Sequence, residues 1–345
     1  MANDSIPLSG RPAPTLASVA QRVGVSVNTV SRALRAPQTV RPELKRRIDA
    51  ALEELNYVPN RLAGGLAGTR SNVVGVVVTS LFYSEFAAVV DTLQTQLLQH
   101  DLQVMLGNSR YDLQEEQRLV RALLSWRPAA MAIIGVDHHP GATDLLRASG
   151  VPTVEMWDIC GEPIDSAVGM DHEAIGRAQA EHLIACGYRH LAFVGSVRAA
   201  DTRARKRAGG AAAVIEAAGL SPLAVETSPE GGNPSLGERL LAALLAEHPE
   251  IDGIICNSDA VAYGVLRGLE AAGRRVPEDC GVIAFGDPEA SAYMRPALTT
   301  VRPSRETIGR VSAETILARI AGEAPRRVSV DWSLQHRQST RPARA

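Results

Sequence analysis

The chain has 345 residues, of which 45% are hydrophobic and 21% are charged. This length and composition support two or three domains with packed cores, and they exclude a disordered tail or a small disulfide-stapled scaffold. The net charge of −2 hides an asymmetry, because residues 1–70 carry a formal charge of +5 and the rest of the chain carries −7. A basic head on an acidic body is expected when one small domain binds a polyanion.

The cysteines and the first residues predict the cellular compartment. The four cysteines, Cys160, Cys186, Cys256 and Cys280, stand far apart with no C-x-x-C spacing, so we expect free thiols in a reducing cytosol. Residues 1–14 are rich in proline and contain no signal-peptide core, and we expect them to form a flexible leader. No stretch approaches the roughly 20 apolar residues that span a bilayer. These features predict a cytoplasmic protein with no membrane partner.

Three short helices are predicted over residues 15–59. Thr15 can cap a first helix, whose apolar residues recur at helical spacing as far as Gly24. A second helix follows over 26–34 and a third over 42–55, opened by Pro42. Two short helices joined by a tight turn that contains glycine form a helix-turn-helix unit.

Residues 60–71 are predicted to be a linker. Gly64 and Gly65 each cost a helix about 1 kcal/mol relative to alanine, and so short a helix is marginal by itself. We therefore expect this segment to be helical only when another molecule holds it.

Strands and helices alternate from residue 72 onward. Runs of apolar, often β-branched residues predict strands at 73–78, 103–106, 131–136, 153–156, 167–170, 191–194, 253–256 and 281–285. Helical patterns lie between most of them, at 86–99, 113–125, 144–148, 174–186, 206–218, 234–247 and 260–272. The alternation predicts an α/β core of two doubly wound parallel-sheet lobes, with a ligand in the cleft at the carboxyl ends of the strands.

No common catalytic signature is present. The sequence has no P-loop, no G-x-G-x-x-G after a strand, no G-x-S-x-G and no H-E-x-x-H. His138 and His139 have neither a nearby cysteine nor a second spaced histidine, so a solvated or ligand-facing loop is favoured over a metal site. We expect no enzyme, no cofactor and no metal.

The predicted head carries a family resemblance. Residues 15–34 read TLASVAQRVGVSVNTVSRAL and residues 54–68 read ELNYVPNRLAGGLAG. Together they closely resemble the DNA-binding headpiece and hinge of the lactose-repressor (LacI/GalR) family of bacterial transcription regulators. Later motifs, such as SGVP at 149–152 and LTTV at 298–301, extend the resemblance. It implies a core like that of periplasmic sugar-binding proteins, with one lobe over about 72–170 and 302–329 and the other over 171–301 and 330–345.

The second helix of such a headpiece enters the major groove of DNA. Val27, Asn28 and Arg32 would then reach base edges, where asparagine suits adenine and arginine suits guanine. The alternative is that Asn28 and Arg32 only form a solvated helix face. The residues placed for phosphate contacts are Thr15, Ser31 and Asn60.

The resemblance also assigns hinge residues to the minor groove. Ala63 and Leu66 stand at these positions, and a leucine there wedges a base step open. We expect residues 61–68 to be disordered without operator DNA and to order on binding.

Ligand contacts are implied by further matches. Arg207, in the R-x-x-G motif of 207–210, matches an arginine that contacts the effector in the family. Its guanidinium fork suits a carboxylate or a pair of hydroxyls, although an exposed arginine at the start of a helix is the alternative. The other residues that the resemblance places near the ligand are Ser80, Phe86, Ser258, Asp259 and Asp287.

One departure bears on the charge of the ligand. The family's usual G-F-D-D turn reads A-F-G-D at 284–287, so Gly286 removes a carboxylate from the expected pocket. Its loss beside Arg207 favours an anionic ligand. The stretch that contains His138, Glu155 and Asp158 also resembles the gluconate-repressor branch of the family, although Glu155 and Asp158 are equally explained as structural residues. A sugar acid such as gluconate or a ketogluconate is therefore expected.

These observations predict a homodimeric, DNA-binding repressor of carbohydrate metabolism that responds to a sugar acid. The dimer is expected because the family's optional leucine-heptad tail has no counterpart in the last residues. The alternatives are a regulator that responds to a neutral sugar or another metabolite, a periplasmic-type binding protein, which leaves the head unexplained, and a sugar-acid enzyme with an accessory DNA-binding domain.

Overall fold

The computed structural model describes residues 14–58, 71–159, 161–198 and 201–343. The chain divides into two compact units, Met1–Ser71 and Asn72–Ala345. The predictions for the leader and for the hinge residues Asn60, Ala63 and Leu66 fall outside the described residues.

The first unit contains the three predicted helices. They are α1 (Leu16–Val23), α2 (Val27–Arg35) and α3 (Pro42–Glu54), with a short 3₁₀ helix at Pro37–Thr39. Thr15 Oγ1 accepts the backbone N–H of Ser18 at 3.2 Å, which caps α1. Gly24 ends the same helix with a φ of 75°, a left-handed conformation that glycine adopts without strain. The helix-turn-helix prediction is confirmed.

A small apolar core holds these helices together. Val19, Val30 and Ile48 are fully buried, one from each helix. Arg47 Nη2 of α3 donates to the carbonyl oxygen of Val23 at 2.7 Å. This hydrogen bond also places a positive charge at the carboxyl end of α1, where the helix dipole favours a cation.

The second unit alternates strands and helices. In chain order it contains β1 (Val73–Val78), α4 (Ser84–Leu98), β2 (Gln103–Asn108), α5 (Leu113–Ser125), β3 (Ala130–Ile134), α6 (Pro140–Ser149), β4 (Thr153–Asp158), β5 (Ser166–Met170), α7 (His172–Ala185), β6 (Leu191–Ser196), α8 (Arg203–Ala217), β7 (Ala224–Ser228), α9 (Pro234–Glu247), β8 (Gly253–Cys256), α10 (Asp259–Ala271), β9 (Gly281–Phe285), α11 (Ala290–Tyr293), β10 (Thr299–Pro303), α12 (Arg305–Ile320), β11 (Arg327–Ser329) and β12 (Trp332–Gln335).

The strands form two six-stranded sheets, each the centre of one lobe. Lobe 1 has the order β11-β5-β4-β3-β1-β2, and all its pairs are parallel. Lobe 2 has the order β12-β10-β9-β8-β6-β7, and only β12 is antiparallel to its neighbour β10. Helices cover both sheets, which is how parallel strands bury both faces. The predicted fold class is confirmed.

The chain passes between the lobes three times. It leaves lobe 1 after β5, returns after β10 so that α12 packs on α4, and leaves again after β11. The two lobes are therefore joined by several short segments rather than by one linker, and they can move relative to each other only about these segments.

Several predicted helices begin one to four residues earlier than expected, and α6 shows the largest difference. The pattern at 144–148 belongs to α6, which starts at Pro140 because the ring Nδ1 of His139 accepts the N–H of Gly141 at 3.0 Å. Six elements were not predicted individually, namely β7, α11, β10, α12, β11 and β12.

The cysteines that the structure describes are buried free thiols, as expected: Cys186, Cys256 and Cys280. Burial raises the pKa of Cys280 to about 12, so this thiol is unreactive.

Among the described residues, no helix has both the length and the apolar character needed to cross a bilayer.

Candidate functional sites

The outer face of α2 presents the residues predicted to read bases. Asn28 and Arg32 are exposed, and Val27 is 42% exposed although it is apolar. Ser31 is partly buried on the same helix. Thr15 is exposed, and its hydroxyl already caps α1 and lies 3.0 Å from Ser18 Oγ. Val27, Asn28 and Arg32 are therefore surface residues of the helix-turn-helix unit.

A cleft lies between the lobes. Carboxyl ends of parallel strands from both sheets open into it, the position where α/β sheets bind ligands. The residues that line the cleft are Tyr83, Glu85, Phe86, Tyr111, Trp157, Ser196, Arg198, Asp201, Arg203, Ala204, Arg207, Asn257, Ser258 and Phe285.

Aromatic rings form the apolar part of the lining. Trp157 packs edge-on against Phe86 with 5.0 Å between ring centroids, and against Phe285 of lobe 2 with 6.4 Å. Rings from both lobes thus meet in one cluster, which offers a flat apolar surface to the carbon skeleton of a ligand.

Arg207 is a deeply buried cation of the cleft. Its Nη1 lies 2.9 Å from His172 Nδ1, its Nη2 donates to the carbonyl oxygen of Asn257 at 2.9 Å, and its guanidinium stacks 4.3 Å from the centroid of Phe285. Burial lowers the pKa of Arg207 to about 10, although Asp201 acts in the opposite direction. Its Nε is buried and has no hydrogen-bond partner within the described part of the chain.

Arg203 lies one helical turn before Arg207 and is equally buried. Its Nε donates to Asp201 Oδ1 at 2.6 Å, and its Nη1 has no hydrogen-bond partner among the residues that the structure describes. Burial raises the pKa of Asp201, but the charge and the hydrogen bond of Arg203 outweigh it and lower the value to about 2. Asp201 is thus ionised and neutralises much of the charge of Arg203.

Two glycines hold this arginine pair at the cleft. A Cβ at Gly176 of α7 would lie 1.9 Å from the carbonyl oxygen of Arg207, and one at Gly210 of α8 would lie 2.1 Å from that of Glu173. The two helices therefore touch backbone to backbone. Gly210 ends the R-x-x-G motif, so the motif combines a cation with the small residue that sets its depth.

The structure corrects the inference drawn from Gly286. A Cβ at this position would lie 2.3 Å from Glu85 Oε1, so the carboxylate of Glu85 occupies the space that a side chain at 286 would fill. The cleft has therefore not lost an acid at this point, because lobe 1 supplies one. Gly286 therefore gives no support for an anionic ligand.

Three of the nine predicted ligand residues line the cleft, namely Phe86, Arg207 and Ser258. Arg207 is only 5% exposed, so the alternative of an exposed arginine is wrong. Ser258 caps α10 through its hydroxyl, which accepts the N–H of Val261 at 3.5 Å.

Three other predicted residues lie just behind the lining. Ser80 Oγ accepts the N–H of Phe82 at 3.1 Å. Asp259 accepts from Thr300 Oγ1 at 2.7 Å, and Asp287 forms ion pairs with two arginines, Arg302 and Arg337. Burial raises the pKa of Asp259 to about 7, although the Thr300 hydrogen bond opposes this. Each side chain binds within the protein rather than facing the cleft.

The remaining three belong to lobe 1 and do not line the cleft. His138 and Glu155 contact each other at 3.2 Å, and Asp158 accepts from Lys206 Nζ at 2.6 Å. Their side chains are almost completely buried. These contacts agree with the structural alternative that the sequence left open for Glu155 and Asp158.

Sequence reasoning missed most of the polar lining. Asn257 directly follows β8, and Ser196 ends β6, so the rule that ligands sit at the carboxyl ends of strands pointed to both. Arg203 shares a helix face with Arg207 at a spacing of four residues. Glu85, Asp201 and Tyr111 gave no comparable signal.

A helix-turn-helix unit followed by a two-lobed core defines a DNA-binding regulator. The chain matches the family model for bacterial regulatory proteins of the lacI family over residues 15–60, and that for a periplasmic binding protein-like domain over residues 180–340. It is 36% identical over 330 residues to the HTH-type transcriptional regulator GntR of Pseudomonas aeruginosa, which covers 95% of this chain and 96% of the relative.

Solved structures agree with these matches. A LacI family transcriptional regulator from Silicibacter pomeroyi superimposes with a TM-score of 0.88 at 33% identity, covering 94% of this chain and 99% of that one. The lac repressor dimer bound to operator gives 0.83 at 26% identity, covering 95% and 99%. The chain belongs to the LacI family. It is a DNA-binding transcriptional regulator and, like its relatives, not an enzyme.

Proposed function

We propose that the protein is a homodimeric repressor of carbohydrate metabolism whose affinity for operator DNA is controlled by a sugar acid, gluconate or a ketogluconate, bound in the cleft. One observation carries the proposal. Arg203 and Arg207 both line the cleft. Among the described residues, Arg203 Nη1 and Arg207 Nε are buried donors that have no acceptor. An unsatisfied buried donor costs about 1–3 kcal/mol, which a ligand carboxylate would recover.

The charges of the lining favour an acid over a neutral ligand. Three arginines line the cleft, namely Arg198, Arg203 and Arg207, against two acidic residues, Glu85 and Asp201. Asp201 is already paired with Arg203 at 2.6 Å. Arg207 therefore faces the cleft as a buried guanidinium with no carboxylate of its own, and planar guanidinium groups bind carboxylates in a fork.

Control of DNA binding follows from linkage. A dimer presents two heads to a near-palindromic operator, with Val27, Asn28 and Arg32 at base edges. A ligand that binds one arrangement of the lobes more tightly shifts the operator affinity by that difference in binding free energy. The lac repressor relative is a dimer on operator DNA.

The test combines calorimetry with operator binding. Gluconate and 2-ketogluconate should bind the wild-type protein, whereas Arg207→Met should lower their affinity about 10- to 100-fold, the value of a charged hydrogen bond. Arg205→Met is the matched control, because Arg205 is exposed on the same helix and does not line the cleft. Operator fragments selected from a random DNA pool should shift in a gel, and the same acids should change that shift.

A neutral sugar is the second candidate, because Glu85 and the aromatic rings also suit hydroxyls and a sugar ring. Glucose belongs in the same calorimetric series for this reason. Tight binding of glucose with no binding of either acid would refute the sugar-acid proposal, and a gel shift insensitive to every ligand would refute control by a ligand in the cleft.

A further inference from the structure

Glu85 and Gly286 fit each other across the cleft. Glu85 lies in the first turn of α4 in lobe 1, and Gly286 directly follows β9 in lobe 2. A Cβ at Gly286 would lie 2.3 Å from Glu85 Oε1 and 3.4 Å from Glu85 Cδ. Heavy atoms cannot approach so closely, so Glu85 can reach this place only because residue 286 has no side chain.

The carboxylate of Glu85 is separate from the arginine pair. Burial raises its pKa, and the cation that acts on it is Arg305, which does not line the cleft. Arg203 pairs instead with Asp201. The cleft thus holds a cationic region at α8 and an acceptor at α4 that do not neutralise each other.

A ligand that satisfies both regions needs two different ends. Its anionic end matches the unpartnered nitrogens of Arg203 and Arg207. Its other end must donate hydrogen bonds to a partly buried carboxylate, and it must not carry a negative charge, because like charges repel strongly where water is excluded.

We infer that Glu85 is the specificity-determining residue of the cleft, where it accepts hydroxyl groups from the end of a monocarboxylic polyhydroxy acid remote from the carboxylate and rejects acids with a second negative charge. This inference rests on the proposed function. Discrimination of this kind combines an attractive contact with a repulsive one.

The first test compares gluconate with glucarate, which carries a second carboxylate at the far end. Glu85→Gln keeps the size of the side chain and removes its charge. We expect gluconate to bind about 10-fold more weakly, because a charged hydrogen bond becomes a neutral one, and glucarate to bind more tightly, because the repulsion is gone. Opposite changes for two ligands cannot arise from a general loss of folding. Glu162→Gln, an exposed glutamate outside the lining, is the matched control.

The second test uses the contact between the two residues. Gly286→Ala should weaken gluconate binding in the wild-type background, because the methyl group displaces Glu85. In a Glu85→Ala background the same change should have a much smaller effect. Any backbone strain of alanine at the φ of 135° found at Gly286 is common to both backgrounds and cancels in the comparison.

The outcomes separate the inference from the proposed function. Suppose that gluconate binds the wild-type protein. If Glu85→Gln then changes the affinities for gluconate and glucarate in the same direction, or changes neither affinity, the specificity role of Glu85 is wrong and the proposed function stands. Additive effects of Gly286→Ala and Glu85→Ala would likewise overturn it. If the wild-type protein binds neither acid, the sugar-acid proposal fails and the inference fails with it.

Discussion

His138 lies between two glutamates in the interior of lobe 1. Its Nδ1 is 3.1 Å from Glu116 Oε2 and its Nε2 is 3.2 Å from Glu155 Oε1, and all three side chains are 3% exposed. Burial lowers the pKa of His138, but hydrogen bonds and charges from the two glutamates outweigh it and raise the value to about 9. A protonated histidine therefore joins α5, β4 and the loop after β3.

This cluster predicts a stability that declines in mild alkali. A histidine pKa raised from 6.5 to about 9 stabilises the folded protein fully below pH 6.5, and the stabilisation is lost as the pH rises through 9. Between pH 6.5 and 9.5, we expect the free energy of unfolding in urea to fall by about 3 kcal/mol more in the wild-type protein than in the double variant Glu116→Gln/Glu155→Gln. The variant lacks the two negative charges that keep His138 protonated.

Other buried histidines titrate in a different range. Burial and the charge of Arg207 lower the pKa of His172 to about 3, so its effect appears only as the pH falls below 6.5. Identical pH dependence of wild type and double variant between pH 6.5 and 9.5 would contradict the role assigned to His138.

Single residues of the cleft could be predicted only where a local motif marks them. Arg207 stands in R-x-x-G, and Phe86 and Ser258 occupy positions that resemble the family's ligand contacts. Glu85 acquires its role from Gly286, a residue of the other lobe that is distant in the sequence. No local pattern encodes a contact that depends on how two lobes face each other.

At the scale of elements, the contact between α7 and α8 sets the depth of the arginine pair. Gly210→Ala would place a methyl group about 2.1 Å from the carbonyl oxygen of Glu173, so the helices must separate. We expect a loss of about 1–3 kcal/mol in the free energy of unfolding and weaker gluconate binding. Urea unfolding and calorimetry measure the two effects.

Gly209 provides the control on the same helix. A Cβ there meets nothing within 4 Å, so Gly209→Ala should be neutral or stabilise α8 by up to about 1 kcal/mol through helix propensity. Equal losses from both substitutions would show that close contact between the helices does not matter.

A continuous apolar pattern made an element easy to predict, whereas two of the elements that were not predicted, α12 and β10, bury polar residues. Strand β1 is almost wholly valine and was predicted to the residue. Helix α12 buries Ser312 and Thr315 beside Ile308 and Ile316, so its inward face carries no apolar stripe. Strand β10 buries Thr299 and Thr300, whose hydroxyls are satisfied by partners distant in the sequence. Tertiary hydrogen bonds permit these polar faces to be buried.

At the scale of the molecule, polar contacts join the lobes directly. Asp137 Oδ2 of lobe 1 accepts from the N–H and the hydroxyl of Thr202 at 2.9 and 2.7 Å. Lys206 Nζ of lobe 2 donates to Asp158 Oδ2 of lobe 1 at 2.6 Å, and the Asp158 side chain is fully buried. Both contacts involve residues at the start of α8, next to the arginine pair, so they stabilise the arrangement in which the cleft is complete.

The pair of Lys206 and Asp158 predicts a coupling between stability and effector binding. Lys206→Met leaves a buried carboxylate without this cation. We expect the free energy of unfolding to fall by about 2 kcal/mol. Gluconate should also bind more weakly, because the arrangement in which the cleft is complete is less populated. Adding Asp158→Asn should recover part of both losses, since removing both charges costs less than removing one.

Arg205→Met, one residue earlier on α8 and exposed, controls for a lost cation. Urea unfolding and calorimetry on all four proteins give the comparison. An unchanged gluconate affinity in Lys206→Met would mean that the ion pair supports the fold alone and not the lobe arrangement.

The fit between Glu85 and Gly286 also predicts how the two positions vary together among related regulators. A side chain at residue 286 would place its Cβ 2.3 Å from Glu85 Oε1, so the glutamate would have to move away. We therefore expect relatives that carry an aspartate at the position of Gly286 to carry a shorter side chain at the position of Glu85.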